Sequence, residues 1–195
     1  MKQMVDLVFV DTNILLDYLE NRNKEVSEIF SKLIELNKEG KIVLATSVFN
    51  IAELLHKELD IAAYGQCIKK KMSFDDIISL VRNRKNSYEK VLENCRNKLE
   101  SKIRRLIEKN DLTLLYLPDD MQNMENLYEL GFSSYLSSQD AIVVATAIAN
   151  NVMYFLSKDE VLIKKIKPND IPYAYDLRKE DSRKTLNDTV LKGFE

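Results

Sequence analysis

The strongest limit on how this chain can fold is its set of short, almost wholly apolar segments, each followed by a helix-like pattern. Leu7–Val10 reads LVFV, and similar runs follow in KIVLAT, LTLLYL, VMYFLS and IPYAY. Apolar runs this short, without polar alternation, suit strands buried on both faces of a parallel sheet. Between them come amphipathic stretches. Ile14, Leu15, Tyr18 and Leu19 fall at helical spacing, and a second helix is expected from about Lys24 to Glu39, ended by Gly40. Ser47 is placed to cap VFNIAELLHKEL, and Ser137 or Ser138 to cap a mostly apolar helix in SSQDAIVVATAIANN. A helix from about Met121 to Leu130, stopped by Gly131, and a short helix in DEVLIKKI complete the series. Alternation of this kind predicts an α/β fold with a central parallel sheet and helices on both faces.

One segment departs from the alternation. From about residue 66 to 110 there is neither Gly nor Pro, and Ser73 with Asp75 and Asp76 marks a helix start. Ile77, Val81, Tyr88, Leu92, Cys95, Leu99, Ile103 and Leu106 form a narrow seam, as in an inserted helical arm. This stretch carries about 13 basic and 6 acidic side chains, a local charge of about +7, so the remainder holds about -9. Residues 177–195 are charged and weakly periodic, and are expected to form a surface helix or loose tail. The whole of 1–195 is read as a single domain with these two additions. Cys67 and Cys95 have no paired spacing and suit a reducing compartment. Without a membrane-length apolar run or a signal-like N-terminus, the expectation is a cytoplasmic protein with no membrane partner.

In an open parallel sheet, ligands bind at the carboxyl ends of the strands. Two acids follow strands there: Asp11 after VFV, and Asp159 two residues beyond Ser157. Glu53 lies in the second turn of the helix after the second strand, and Asp140 in the first turn of SQDAIVVATAIA. Each alone has an ordinary explanation, as a helix cap, a dipole partner or a solvated charge. Together they would repel one another beside an apolar wall unless a divalent cation lay among them. An all-oxygen set suits Mg²⁺ or Mn²⁺. With His56 as the single histidine, zinc is disfavoured. His56 shares a helix face with Glu53, where a polar surface role is the commoner one.

These residues resemble the four acidic motifs of PIN-domain nucleases, a group that includes the VapC-type toxins of bacterial toxin–antitoxin pairs. FVDTNILLDYL, SVFNIAELL, SSQDAIVVATAIAN and YFLSKDEVL match the motifs in order, over about residues 5–60 and 111–176. The resemblance implies a PIN-like three-layer fold, interrupted by the inserted arm. It implies Mg²⁺- or Mn²⁺-dependent endoribonuclease activity, with Asp11, Glu53, Asp140 and Asp159 as catalytic and metal-holding residues. Thr12, Asn13 and Ser157 become supports for those carboxylates or for phosphate. RNA is the expected substrate; an antitoxin protein and a second copy of the chain are further candidate partners. On the arm, Lys69, Lys70, Lys71, Arg82, Arg84, Lys85, Arg104 and Arg105 are candidate RNA contacts, against the reading of a solvated helical surface. A haloacid-dehalogenase-like phosphatase also begins with an Asp after its first strand. It wants a second Asp two residues on, where this chain has Asn13. The remaining alternative is a PIN-like module that binds RNA or protein without cleaving.

Overall fold

A computed structural model describes residues 5–82, 86–110 and 112–193. Five strands form one sheet in the order β3-β2-β1-β4-β5, with every pairing parallel. The strands are β1 (Asp6–Val10), β2 (Ile42–Ser47), β3 (Thr113–Leu115), β4 (Tyr154–Ser157) and β5 (Tyr173–Asp176). The expected α/β fold with a central parallel sheet is therefore present. β3 is shorter than LTLLYL suggested, as suits a strand at the sheet edge.

The strands alternate their side chains between two cores. Val8 and Val10 of β1 join the first, which contains helices α1 (Thr12–Glu20) and α2 (Lys24–Lys38). Phe9 joins the second, beneath α7 (Ser138–Ala149), where its ring stacks on Phe155 at 5.1 Å. This period of two is the pleat of the strand. Asn23 caps α2 through Val26 N–H, and Gly40 takes a φ of 69° beyond its end, where a side chain would be strained.

The arm begins earlier than expected. Helix α3 (Val48–Lys69) runs well past Glu58, followed by α4 (Phe74–Arg82) and α5 (Asn86–Lys109). Leu106 enters the first core and Ile103 is buried, so this half of α5 belongs to the body of the domain. Of the seam, Val81, Tyr88, Leu92, Cys95 and Leu99 have side chains outside the described residues. Lys102 reaches Glu20 and Glu58, joining α5 to α1 and α3. Glu20 is thus half-buried in an ion triad. Asp17 of α1 is buried and pairs with Lys158 at 2.5 Å.

Helix α6 (Met121–Tyr128) does not stop at Gly131 but continues as a π-helical turn over Glu129–Ser133. The C-terminal segment, expected as a surface helix or loose tail, is helical and also packs into the core. Helix α9 (Glu180–Leu186) and a π-helical turn over Asn187–Leu191 place Leu177, Leu186, Val190 and Leu191 in the first core. The apolar positions are too widely spaced among charges to reveal this in sequence. Leu186→Ala should therefore cost about 2–5 kcal/mol, read from chemical denaturation. A loss below about 0.5 kcal/mol would show that the segment contributes no core.

Candidate active site

β1 has β2 on one side and β4 on the other, so the chain reverses its direction of winding there. The crevice at the carboxyl ends of β1 and β4 is the topological switch point, where such sheets bind ligands. Asp11 stands at that point. Its backbone N–H continues the ladder to the Leu156 carbonyl at 3.0 Å, and its extended φ of -79° makes it the N-cap of α1. The capping role and the candidate-site role thus coincide.

Asp11 is only 8% exposed. One carboxylate oxygen accepts from Thr12 N–H at 2.7 Å. The other accepts from Ser157 Oγ and Asn13 Nδ2, both at 2.6 Å. Burial pushes the Asp11 carboxyl up to about 6; the Ser157 and Thr12 hydrogen bonds pull it down, and the Glu53 charge adds to the rise. Ser157 Oγ is a hub, since it also accepts from Asn13 Nδ2 at 3.0 Å and from Asp159 N–H at 2.9 Å. Asn13 Oδ1 in turn accepts from Lys158 N–H at 2.9 Å, stitching α1 to the end of β4. Thr12, Asn13 and Ser157 therefore stand where a support for Asp11 has to stand.

Glu53 joins through Thr12, whose hydroxyl donates to Glu53 Oε2 at 2.6 Å. Partial burial would raise the Glu53 carboxyl, but Lys57, 2.8 Å from Oε1, and the Thr12 hydroxyl outweigh it and hold it below the usual range. Beneath them Asn50 is fully buried and donates to the Val10 carbonyl and Thr46 Oγ1, which ties the start of α3 to the end of β1. Lys57, Asn50 and Lys158 were missed in the sequence. The four-residue spacing from Glu53 signals Lys57; nothing local signals the other two.

The remaining acids face other duties. Ser137 caps α7 and exchanges hydrogen bonds with Asp140, donating to its carboxylate at 2.7 Å. Gln139 and Val143 of α7 line a cleft of about 210 Å³ with Glu53, His56 and Phe49, which brings the start of α7 to the flank of Glu53. Asp159 caps α8 (Glu160–Lys165) by accepting from Val161 and Leu162 N–H. Among the described residues, no three carboxylates, histidines or cysteines converge as a metal-holding group. Asp11 and Glu53 are brought together through Thr12; the Asp140 carboxylate is held by Ser137, and Asp159 caps α8 with its N–H on Ser157. The donor chemistry, oxygen only and partly buried, fits a hard divalent cation.

Lys69, Lys70 and Lys71 are exposed at the far end of α3, about 24 Å along the helix axis from Glu53. Arg104 sits between Glu100 and Glu108, each at 3.4 Å, which offsets its charge. Arg105 is exposed. Arg84 and Lys85 lie outside the described residues, as does the side chain of Arg82. Among the described residues, the cation paired with a crevice acid is Lys57, on Glu53; Lys158 pairs with Asp17.

A parallel α/β sheet with a buried, braced carboxylate at its switch point and further acids around it defines a protein built for ligand chemistry at that edge. A family profile described as PIN domain matches residues 8–167, and the chain belongs to that family, whose members are generally nucleases and typically use divalent metals. No curated protein and no solved structure matches the chain significantly. No helix among the described residues is long and apolar enough to cross a membrane.

Proposed function

We propose that the protein is a divalent-metal-dependent endoribonuclease that hydrolyses RNA phosphodiester bonds. The observation that carries this reading is the bracing of Asp11 at the switch point by Ser157, Asn13 and Thr12, with Thr12 also holding Glu53. Asp11 and Glu53 would hold the metal, with Asp140 and Asp159 as candidates to complete the set. Mg²⁺ or Mn²⁺, when bound, supplies a Lewis acid that makes water nucleophilic near neutral pH and offsets charge on the phosphate. Ser157 and Asn13 keep the Asp11 carboxylate in one orientation, so little reorganisation is needed on binding. Thr12 does the same for Glu53 while its N–H anchors Asp11. Lys57 places a positive charge beside Glu53, where a polyanion has to approach.

The test is cleavage of a single-stranded RNA with Mg²⁺, with Mn²⁺ and with chelator, for wild type, Asp11→Asn and Asp140→Asn. Metal-dependent cleavage lost in both variants is the expected result; equal cleavage by all three proteins would refute the assignment. One observation favours the alternative of a binding module: the Asp140 carboxylate is held by the Ser137 cap, and the Asp159 carboxylate caps α8. That reading expects RNA binding without metal-dependent turnover. Whether the activity serves as the toxin of a toxin–antitoxin pair or in RNA processing is tested separately. A toxin should arrest growth on induction, with rescue by the product of an adjacent gene.

A further inference from the structure

Two surfaces outside the crevice are complementary. The outward side of α6 and its π-helical extension carries Met121, Glu125, Tyr128 and Phe132 at helical spacing, while Asn123 and Leu130 point inward and are buried. Phe132 is 77% and Tyr128 55% exposed, with their rings 6.3 Å apart. An exposed aromatic stripe of this kind marks an interaction surface. It is also acidic: from Asn110 to Ser157 the sequence has no Lys or Arg, and Asp119, Glu125 and Glu129 flank the stripe. Lys167 offsets Glu129, whereas Asp119 and Glu125 stay exposed with no described cation beside them. A polyanion such as RNA would be repelled there.

The second surface is concave. Between α1 and the C-terminal half of α5 runs a groove of about 650 Å³ with Tyr18, Leu19 and Leu106 along its floor. Lys102 turns inward to its two glutamates, but Arg105 and Lys109 are exposed on the rim, with no ion-pair partner among the described residues. An apolar floor with a cationic rim fits an amphipathic helix with acids beside its apolar stripe. The groove lies over the first core and the stripe over the second, on opposite faces of the sheet, so a chain cannot fill its own groove.

We propose that the groove between α1 and α5 of one copy receives the α6 stripe of a second copy. The contact joins two different surfaces, so each added copy leaves a free groove and a free stripe at the ends. Tyr128 and Phe132 supply its apolar centre, and Arg105 and Lys109 meet Asp119 and Glu125 at its rim.

Sedimentation velocity of the full chain at low ionic strength, up to about 100 µM, tests this. The average mass should rise above 22.7 kDa with concentration and should not level off at the dimer. Tyr128→Ala combined with Phe132→Ala should weaken association about tenfold or more. Arg105→Glu with Lys109→Glu should also weaken it, as should Asp119→Lys with Glu125→Lys. Uniting the last two pairs in one chain should restore association. All six positions are exposed, and Glu125→Lys alone supplies a variant with intact aromatics. A chain that stays at 22.7 kDa throughout, or association untouched by these variants, overturns the proposal. A monomer that instead binds an oligolysine peptide in a Phe132-dependent way assigns the stripe to a different, basic partner and equally overturns it.

Discussion

Asp11→Asn is expected to abolish metal-dependent RNA cleavage and, in metal-free buffer at pH 7.5, to raise the melting temperature. The two effects have one origin. Asp11 is buried where its charge is unfavourable without a cation, and its carboxyl is pushed from 3.8 up to about 6. Between those pH values the folded chain holds a proton that the unfolded chain has released. Stability is therefore fully present below pH 3.8 and is lost as pH rises to about 6, staying low above it. The size of the loss is about 2–3 kcal/mol. Asn carries no charge and escapes this penalty, so the variant should melt higher by roughly 4–10 °C at pH 7.5. The gap should close as pH approaches 4. Mg²⁺ or Mn²⁺ should raise the wild-type melting temperature and leave that of Asp11→Asn nearly unmoved. Cleavage should fall at least about a hundredfold. A variant less stable than wild type at pH 7.5 would mean that the Ser157 and Asn13 hydrogen bonds outweigh the burial of charge. A metal shift equal in both proteins would place the cation elsewhere.

Lys102→Met should be the most damaging single change on the arm. Lys102 lies between Glu20 and Glu58, and Glu58 is 2% exposed with one carboxylate oxygen lacking any hydrogen-bond partner. Burial raises the Glu58 carboxyl despite Lys102, while the Lys102 hydrogen bond holds Glu20 below its ordinary range. Methionine keeps the apolar stem but leaves both carboxylates without their cation. The expected loss at pH 7 is about 2–4 kcal/mol. Two opposite trends govern its pH dependence. Wild type loses the Glu20 contribution as pH falls, because that carboxyl is depressed when folded. The variant gains as Glu58 takes up a proton and its buried charge disappears. The deficit should therefore shrink on acidification, and Glu58→Gln in the Lys102→Met background should recover much of it at neutral pH. Chemical denaturation at pH 7 and pH 4.5 measures both. A deficit independent of pH would show that packing, not charge, sets the role of Lys102.

Much of the fold was legible because the inner strands β1, β2 and β4 are buried on both faces and so announce themselves as nearly uninterrupted apolar runs. The caps were legible for a similar reason. Ser47, Ser137 and Asp159 act over three residues, and their partners lie in the same stretch of chain. The misreadings share the opposite property. Asp17 and Glu20 look like helix surface until Lys158 and Lys102, more than eighty residues distant, fold back on them. The C-terminal segment looks like surface because Leu177, Leu186 and Val190 find their apolar partners in the first core, not beside themselves. Gly131 reads as a stop, yet the helix runs through it by widening to a π-helical turn.

The same division holds for the candidate site. Sequence alone determined which acids stand at strand ends and helix starts, since local hydrophobic pattern and capping chemistry fix that. It also determined the family, carried by four motifs in order. Only the tertiary structure decided that Ser157 reaches Asp11 across the sheet and that Thr12 hands Glu53 to the same crevice. It also set Lys69–Lys71 far from that crevice. The reason is physical: a hydrogen bond or ion pair is decided by distance in space, and spacing along the chain reports that distance only within one helix or one turn.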